Sequence, residues 1–129
     1  MVILIVPPVA SAGAADQPAD CLIGAGSCSK SIGDRRVVFD ISPKPVMTMK
    51  ELTFAVRIEG GGTPQSLVLD LSMPGMYMGR NRVVLKKTSD GGYSGRGVIP
   101  RCPSGKRLWQ AEIEIPGAGR VVYRFNVDH

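Results

Sequence analysis

Residues 109–127 read WQAEIEIPGAGRVVYRFNV, and this stretch indicates the fold class. On each side of the central PGAG segment, large apolar side chains fall at every second position. The inward set is Trp109, Ala111, Ile113, Ile115, Val121, Tyr123, Phe125 and Val127. Successive side chains of a strand point to opposite faces, so the pattern predicts two strands, each with one buried and one solvated face. The Gly- and Pro-rich segment between them predicts the turn.

The same alternation recurs along the rest of the chain and predicts five more strands. The seven strands are expected at about 36–41, 51–58, 66–72, 82–87, 92–98, 107–115 and 119–127. Half-buried strands joined by short turns favour antiparallel sheets that pack face to face. We therefore expect an all-β protein, a seven-stranded antiparallel immunoglobulin-like β-sandwich.

The amino-acid composition argues against two classes of protein, enzymes and nucleic-acid-binding proteins. The chain has 129 residues, a formal net charge of +5 and a single histidine, His129, at its end. General acid–base catalysis most often uses histidine, and a Cys102–His129 pair has no identifiable third group to orient it, so we expect no enzyme. Aromatic residues are too few to interleave with the basic ones as stacking platforms, so we expect no nucleic-acid partner.

The first fifteen residues, MVILIVPPVASAGAA, have the layout of the end of a secretory signal, with an apolar run followed by small residues. We expect export to the periplasm or secretion, with 1–15 as a signal, 16–35 as an irregular cysteine-containing leader and 36–129 as the β-domain. No apolar run approaches the length of a membrane-spanning helix, so none is expected in the mature chain.

Strand count predicts which loops share an end of the domain. If each connection reverses the chain, loops 42–50, 73–81 and 99–106 lie at the same end as the C-terminus. That end then carries Met47, Met49, Met73, Met76, Met78, Cys102 and His129. Thioether, thiolate and imidazole groups are ligands that Cu(I) prefers.

The candidate metal ligands are Met73, Met76, Met78, Cys102 and His129. The alternative is structural, because methionines also fill gaps in cores. The same end carries Arg80, Arg82, Arg101 and Arg107, which disfavour a cation and are the candidate partner-binding residues of a metal-free envelope interaction domain.

Three cysteines allow at most one intramolecular disulfide, with Cys21, Cys28 and Cys102 as candidates. In the chain-entropy model a Cys21–Cys28 bridge contributes about 2–3 kcal/mol and a Cys28–Cys102 bridge roughly 4–5 kcal/mol. Energetics favour the long bridge. The strand count favours the local one, because it puts the leader and Cys102 at opposite ends. The long bridge stays open as an alternative, and we favour Cys21–Cys28, which leaves Cys102 as a candidate free thiol.

The segment MPGMYMG at 73–79, with ELTF at 51–54, GYSG at 92–95 and Gly105 before Trp109, resembles the YtkA-like/FixH-like family. The resemblance runs from Pro43 to Val127, about two-thirds of the chain. It implies an exported immunoglobulin-like domain that binds or delivers copper near respiratory oxidase assembly, with a copper-handling or respiratory complex as partner. Cys102 departs from the family pattern.

Overall fold

The computed structural model describes residues 19–129, and for residues 76–80 it describes the backbone alone. The signal-like segment 1–15 lies outside this range. Within residues 19–129 the regular structure is entirely β, with no helix of the length and apolar character needed to cross a membrane.

The described residues form eight β-strands. They are β1 (Cys28–Ile32), β2 (Arg35–Ser42), β3 (Glu51–Glu59), β4 (Ser66–Met73), β5 (Met76–Lys87), β6 (Tyr93–Val98), β7 (Leu108–Ile115) and β8 (Gly119–Asn126). Their order in the sheet is β1-β2-β3-β6-β5-β4-β7-β8, and every neighbouring pair is antiparallel. Direction therefore alternates along the chain as well as across the sheet.

The sheet curls until its two ends meet. Strands β2 and β8 stand six places apart in the order, which in a flat sheet would separate them by about 29 Å. Instead, the ring of Phe39 on β2 stacks on that of Tyr123 on β8, with 4.9 Å between ring centroids. The Tyr123 hydroxyl also donates a hydrogen bond to the Val37 carbonyl oxygen at 2.6 Å. The core is the space that this closure encloses.

The enclosed side chains are those that the alternation predicts. Phe39, Phe54, Trp109, Tyr123 and Phe125 are each less than 2% exposed. Burial of a large apolar side chain contributes about 1.5–3 kcal/mol, so the inner face supplies the main favourable term. Burial also raises the pKa of the Tyr123 hydroxyl well above its ordinary value, which keeps it a hydrogen-bond donor.

The end strands of the sheet are β1 and β8, and we call the boundary between them the seam. Hydrogen bonds from a lysine side chain and from the residues that precede β1 close it. Strand β1 contributes Lys30, whose Nζ donates to the Val122 carbonyl oxygen of β8 at 2.6 Å. The backbone N–H groups of Asp20 and Cys21 both donate to the Arg124 carbonyl oxygen, at 3.0 and 2.9 Å. The predicted Cys21–Cys28 disulfide is confirmed, and Cys102 is a free thiol, so the long-bridge alternative is wrong.

The predicted architecture is confirmed as all-β and antiparallel, but the seven-stranded immunoglobulin-like sandwich is not confirmed. The seven predicted strands correspond to β2–β8, while β1 forms in the segment expected to be irregular. Its residues, CSKSI, carry no apolar alternation, so β1 depends on its pairing with β2. The strands form one nearly closed sheet in place of two separate ones.

Strand β6 packs unusually close to β5. The two strands pair at Lys86–Ser94 and Lys87–Tyr93, after which β6 continues over the backbone of β5. A Cβ atom at Gly95 would lie 2.5 Å from the Val84 carbonyl oxygen, and one at Gly97 would lie 3.0 Å from a Val83 methyl group. These two glycines allow the sheet to bend at this junction.

We expect Gly95→Ala to destabilise the protein by about 1–3 kcal/mol, because backbone must move to admit the methyl group. Without that clash, alanine in a strand interior would stabilise the fold, so the sign of the effect tests the close approach. Denaturant unfolding provides the measurement. Gly62→Ala is the matched control, since no atom lies within 4 Å of its added Cβ. Equal stability of the two variants would contradict the described packing.

Candidate functional site at the sulfur pole

Antiparallel alternation brings three connections and the C-terminus to one end of the sheet. These are the loop 43–50, the turn 74–75, the loop 99–107 and residues 127–129, and we call this end the sulfur pole. Loop 99–107 runs from the end of β6 to the start of β7. The turn 74–75 lies beside that start, because Ser72 pairs with Gln110.

Backbone hydrogen bonds join the connections of the sulfur pole to one another. The Met49 N–H donates to the Ile99 carbonyl oxygen at 2.8 Å, and the Thr48 N–H donates to the Asp128 carbonyl oxygen at 2.9 Å. The Val127 N–H donates to the Arg107 carbonyl oxygen at 3.0 Å. Loops 43–50 and 99–107 and the C-terminal residues therefore form one connected surface.

The second of the predicted connections differs from expectation. Residues 73–81 were expected to be a loop, but β5 begins at Met76 and only Pro74 and Gly75 form the turn. Gly75 has a φ of 77°, and proline followed by such a glycine is the sequence of a tight type II turn. The pairing of β4 with β5 shifts register between Leu71 and Met73, so the strand pairing is irregular at this end.

Cys102 is the most chemically distinctive residue of the sulfur pole. It is 2% exposed, and its Sγ lies 3.0 Å from the Ser104 Oγ. A turn closed by the hydrogen bond from Gly105 N–H to the Cys102 carbonyl oxygen, at 2.9 Å, brings Ser104 into this position. The Ser104 hydroxyl, the backbone amides of Ser104 and Lys106 and the charge of Lys106 together lower the pKa of the Cys102 thiol. Metal binding and nucleophilic reactions both require the thiolate.

The methionines of the sulfur pole differ in exposure. Met73 is 3% exposed and belongs to the core, Met47 is half-buried, and Met49 is 64% exposed. Met49 also has a φ of 63°, a backbone conformation that bulky residues rarely adopt. Met76 and Met78 lie on β5 at the same end, and their side chains lie outside the described part of the structure.

His129 lies at the sulfur pole against loop 43–50. Its Nδ1 is 3.2 Å from the Oγ1 of Thr48, a hydroxyl residue that is 3% exposed. The described contact of the imidazole is therefore with Thr48, and that of the Cys102 thiol is with Ser104. Thr48 and Ser104 are the site residues that sequence reasoning missed, although the Pro-Ser-Gly sequence after Cys102 is a recognisable turn signal.

The predicted partner-binding arginines are partly engaged within the protein. Arg82 forms an ion pair with Asp70 at 3.0 Å, and Arg107 forms one with Asp128 at 3.1 Å. Arg101 is exposed. The side chain of Arg80 is not among those described. Arg82 lies in the middle of β5, because its partner Asp70 also pairs with Glu112 in the middle of β7, so its predicted place at the sulfur pole is wrong. At the pole itself, Asp128 compensates the charge of Arg107.

Trp109 is the buried aromatic residue closest in register to Met73. Ser72 pairs with Gln110, so Met73 and Trp109 occupy neighbouring inward positions on β4 and β7. The indole Nε1 is buried and has no hydrogen-bond partner among the described residues. As the single tryptophan of the chain, it can report spectroscopically on this end of the core.

A groove of about 420 Å³ lies away from the sulfur pole, on the outer face of β2, β3 and β6. Its floor includes Ala55 and Ser94, and the turn between β5 and β6 forms one wall. Asp90 in that wall pairs with Arg57 at 3.3 Å, and Asp40 pairs with Lys44 at 2.7 Å. Each charged side chain that lines the groove therefore has an ion-pair partner, and none of the predicted site residues is among the lining residues.

Comparison with known proteins finds no matching family model, no matching curated protein and no matching solved structure. The comparisons thus lend the resemblance to the YtkA-like/FixH-like family no support. In residues 19–129, no three side chains of His, Cys, Asp or Glu come together in a way that could hold a metal ion. Methionine thioethers do not belong to that set of groups.

We expect Ser104→Ala to raise the pKa of Cys102, because it removes the hydroxyl beside the sulfur. With the Cys21–Cys28 disulfide intact, Cys102 is the free thiol, so thiolate absorbance near 240 nm measures its titration directly. Ser31→Ala, at an exposed position on β1, is the control. An unchanged thiol titration in Ser104→Ala would show that the Ser104 contact has no influence on the sulfur.

Proposed function

We propose that this chain is a non-catalytic β-domain that binds Cu(I) at its sulfur pole and delivers it to a protein partner. The observation that carries the proposal is that the loops bearing Met47, Met49 and Cys102 lie at one end of the sheet, where hydrogen bonds connect them, and that Met73 ends β4 at the same end. Soft sulfur ligands favour Cu(I) over Mg, Ca or Mn.

Cys102 would supply the anionic ligand. Its donor-rich surroundings lower the thiol pKa, which favours the form that binds metal. Met73, Met76 and Met78 would supply neutral thioethers, which are soft ligands that suit the monovalent Cu(I) ion. His129 would take part through Nε2, since Nδ1 is engaged with Thr48. The Arg107–Asp128 ion pair supports this assignment because it reduces the positive charge of the sulfur pole.

Export is part of the proposal. The Cys21–Cys28 disulfide supports an oxidising compartment such as the periplasm. The likeness of residues 43–127 to YtkA-like/FixH-like domains is the basis for a role near respiratory oxidase assembly. It also suggests that the two halves of the sheet, β1-β2-β3-β6 and β5-β4-β7-β8, correspond to the layers of an immunoglobulin-like sandwich.

The metal-free alternative is docking to an envelope protein through the arginines of the sulfur pole. It is the weaker proposal, because Arg82 and Arg107 already pair with acidic residues of the chain itself. Arg101 is exposed and takes part in none of the described ion pairs, so it is the arginine best placed to contact a partner.

Competition with a chromogenic Cu(I) chelator, with ascorbate as reductant, tests the proposal. We expect one Cu(I) per chain, with affinity lowered at least tenfold, about 1.4 kcal/mol, in Cys102→Ser and in the triple variant Met73→Leu, Met76→Leu, Met78→Leu. Leucine conserves side-chain volume, so the triple variant removes the sulfur atoms with little change in packing. Trp109 fluorescence provides a second readout at the same end of the core.

Arg101→Gln is the control, since it changes an exposed side chain next to Cys102 and leaves every sulfur in place. It should bind Cu(I) as the wild type does. Equal affinity of the wild type and the triple methionine variant would refute the Cu(I) assignment. Loss of partner capture in Arg101→Gln with no measurable Cu(I) binding would favour the docking alternative.

A further inference from the structure

The seam between β1 and β8 is held by a small polar network that flanks the disulfide. Asp20 immediately precedes Cys21, and Lys30 follows Cys28 by two residues. The Arg124 N–H donates to the Asp20 Oδ1 at 2.9 Å, and the Arg124 carbonyl oxygen accepts from the backbone of Asp20 and Cys21. Lys30 forms an ion pair with Asp20 and donates to the Val122 carbonyl oxygen. Asp20 and Lys30, whose side chains both bind β8, are thus held close together by the disulfide-closed loop 21–28.

The same loop fills the inner side of the seam. Cys21 and Ile23 are 2% and 1% exposed and belong to the core, and the Ile23 carbonyl oxygen accepts a hydrogen bond from Lys44. Above the seam, the Lys30 Nζ lies 5.4 Å from the centre of the Tyr123 ring. The aromatic stack that closes the sheet therefore lies directly under the residues that the disulfide positions.

We propose that the Cys21–Cys28 disulfide is a redox-sensitive latch, whose reduction by a dithiol releases residues 19–27 from β8 and opens the seam of the sheet. The inference is independent of the proposed Cu(I) binding. It depends on how β1 and β8 are joined. The loop 21–28 and the side chains of Asp20 and Lys30 connect them, whereas neighbouring strands of the sheet are joined by backbone pairing.

Cys28 is half-buried, whereas Cys21 is buried, so Cys28 is the sulfur open to attack. A thiolate of the dithiol forms a bond to the Cys28 sulfur, the Cys21–Cys28 bond breaks, and Cys21 leaves as a thiolate that takes up a proton. The second thiol of the reductant then displaces Cys28, which also becomes a thiol. The protein gains two electrons and two protons, and the dithiol becomes a cyclic disulfide.

Once the loop is open, Asp20 is no longer held near Lys30. The chain-entropy model predicts that the opening equilibrium at the seam rises about 30- to 100-fold on loss of an eight-residue closed loop. The ladders β2–β3, β4–β7 and β7–β8 contain none of the released residues, so they should keep their protection.

Residue-resolved hydrogen exchange on the full chain, with and without dithiothreitol, tests the latch. We expect the amides of Arg124, Asp20 and Cys21 to exchange about 30- to 100-fold faster after reduction, while the amides of Phe54 and Leu69 change little. Cys102→Ser keeps the disulfide and should respond to the reductant as the wild type does. An unchanged rate at Arg124, or an equal acceleration at every amide, would overturn the proposal.

A second variant leaves the cysteines untouched. Asp20→Ala removes the acceptor of the Arg124 N–H and the partner of Lys30, so it should accelerate exchange at Arg124 even in the oxidised protein. Asp20→Asn retains an oxygen at the same position and should restore most of the protection. Failure of Asp20→Ala to accelerate the Arg124 amide would show that the loop does not close the seam.

Discussion

Contact between β2 and β8 is the constraint on which the rest of the molecule depends. Phe39 and Tyr123 stack across the ends of a sheet in which six strand-to-strand steps separate them. Such contact requires the sheet to curl, and curling encloses the apolar faces of the strands. The glycines at 95 and 97 permit the bend at the β5–β6 junction, and the disulfide loop closes the remaining seam. Both features allow β8 to reach β1 and β2 at the other end of the sheet.

The same closure creates the candidate site. With all strands antiparallel and alternating in direction, every second connection falls at one end, where loop 99–107 crosses between strands that are not neighbours. Cys102 is buried in that loop at the end of the sheet that also holds the turn 74–75, and loop 43–50 is hydrogen-bonded to the C-terminal residues there. The placement of sulfur-bearing residues at one end of the sheet is a consequence of strand parity, and the Cu(I) proposal depends on that placement.

The positions of β2, β3, β4, β7 and β8 were predictable because their inward-facing residues are apolar at every second position, and a buried face leaves a direct trace in the sequence. The position of strand β1 was not predictable from its sequence, CSKSI, because this strand pairs with β2 through its backbone and none of its side chains is fully buried. Parity predicted that Met47, Met73, Cys102 and His129 share an end. It could not predict that Thr48 would hold His129 or that Ser104 would hold Cys102, because those contacts depend on turn geometry. Closure itself arises from contacts between Val37, Phe39 and Tyr123, which no local pattern encodes.

The most direct test of the closed sheet is the nuclear Overhauser effect between the ring protons of Phe39 and Tyr123 in the oxidised protein. Ring centroids 4.9 Å apart place several proton pairs within range, so strong cross-peaks are expected. Cross-peaks of Phe39 with residues of β3 alone, and none with Tyr123 or Phe125, would contradict the closure.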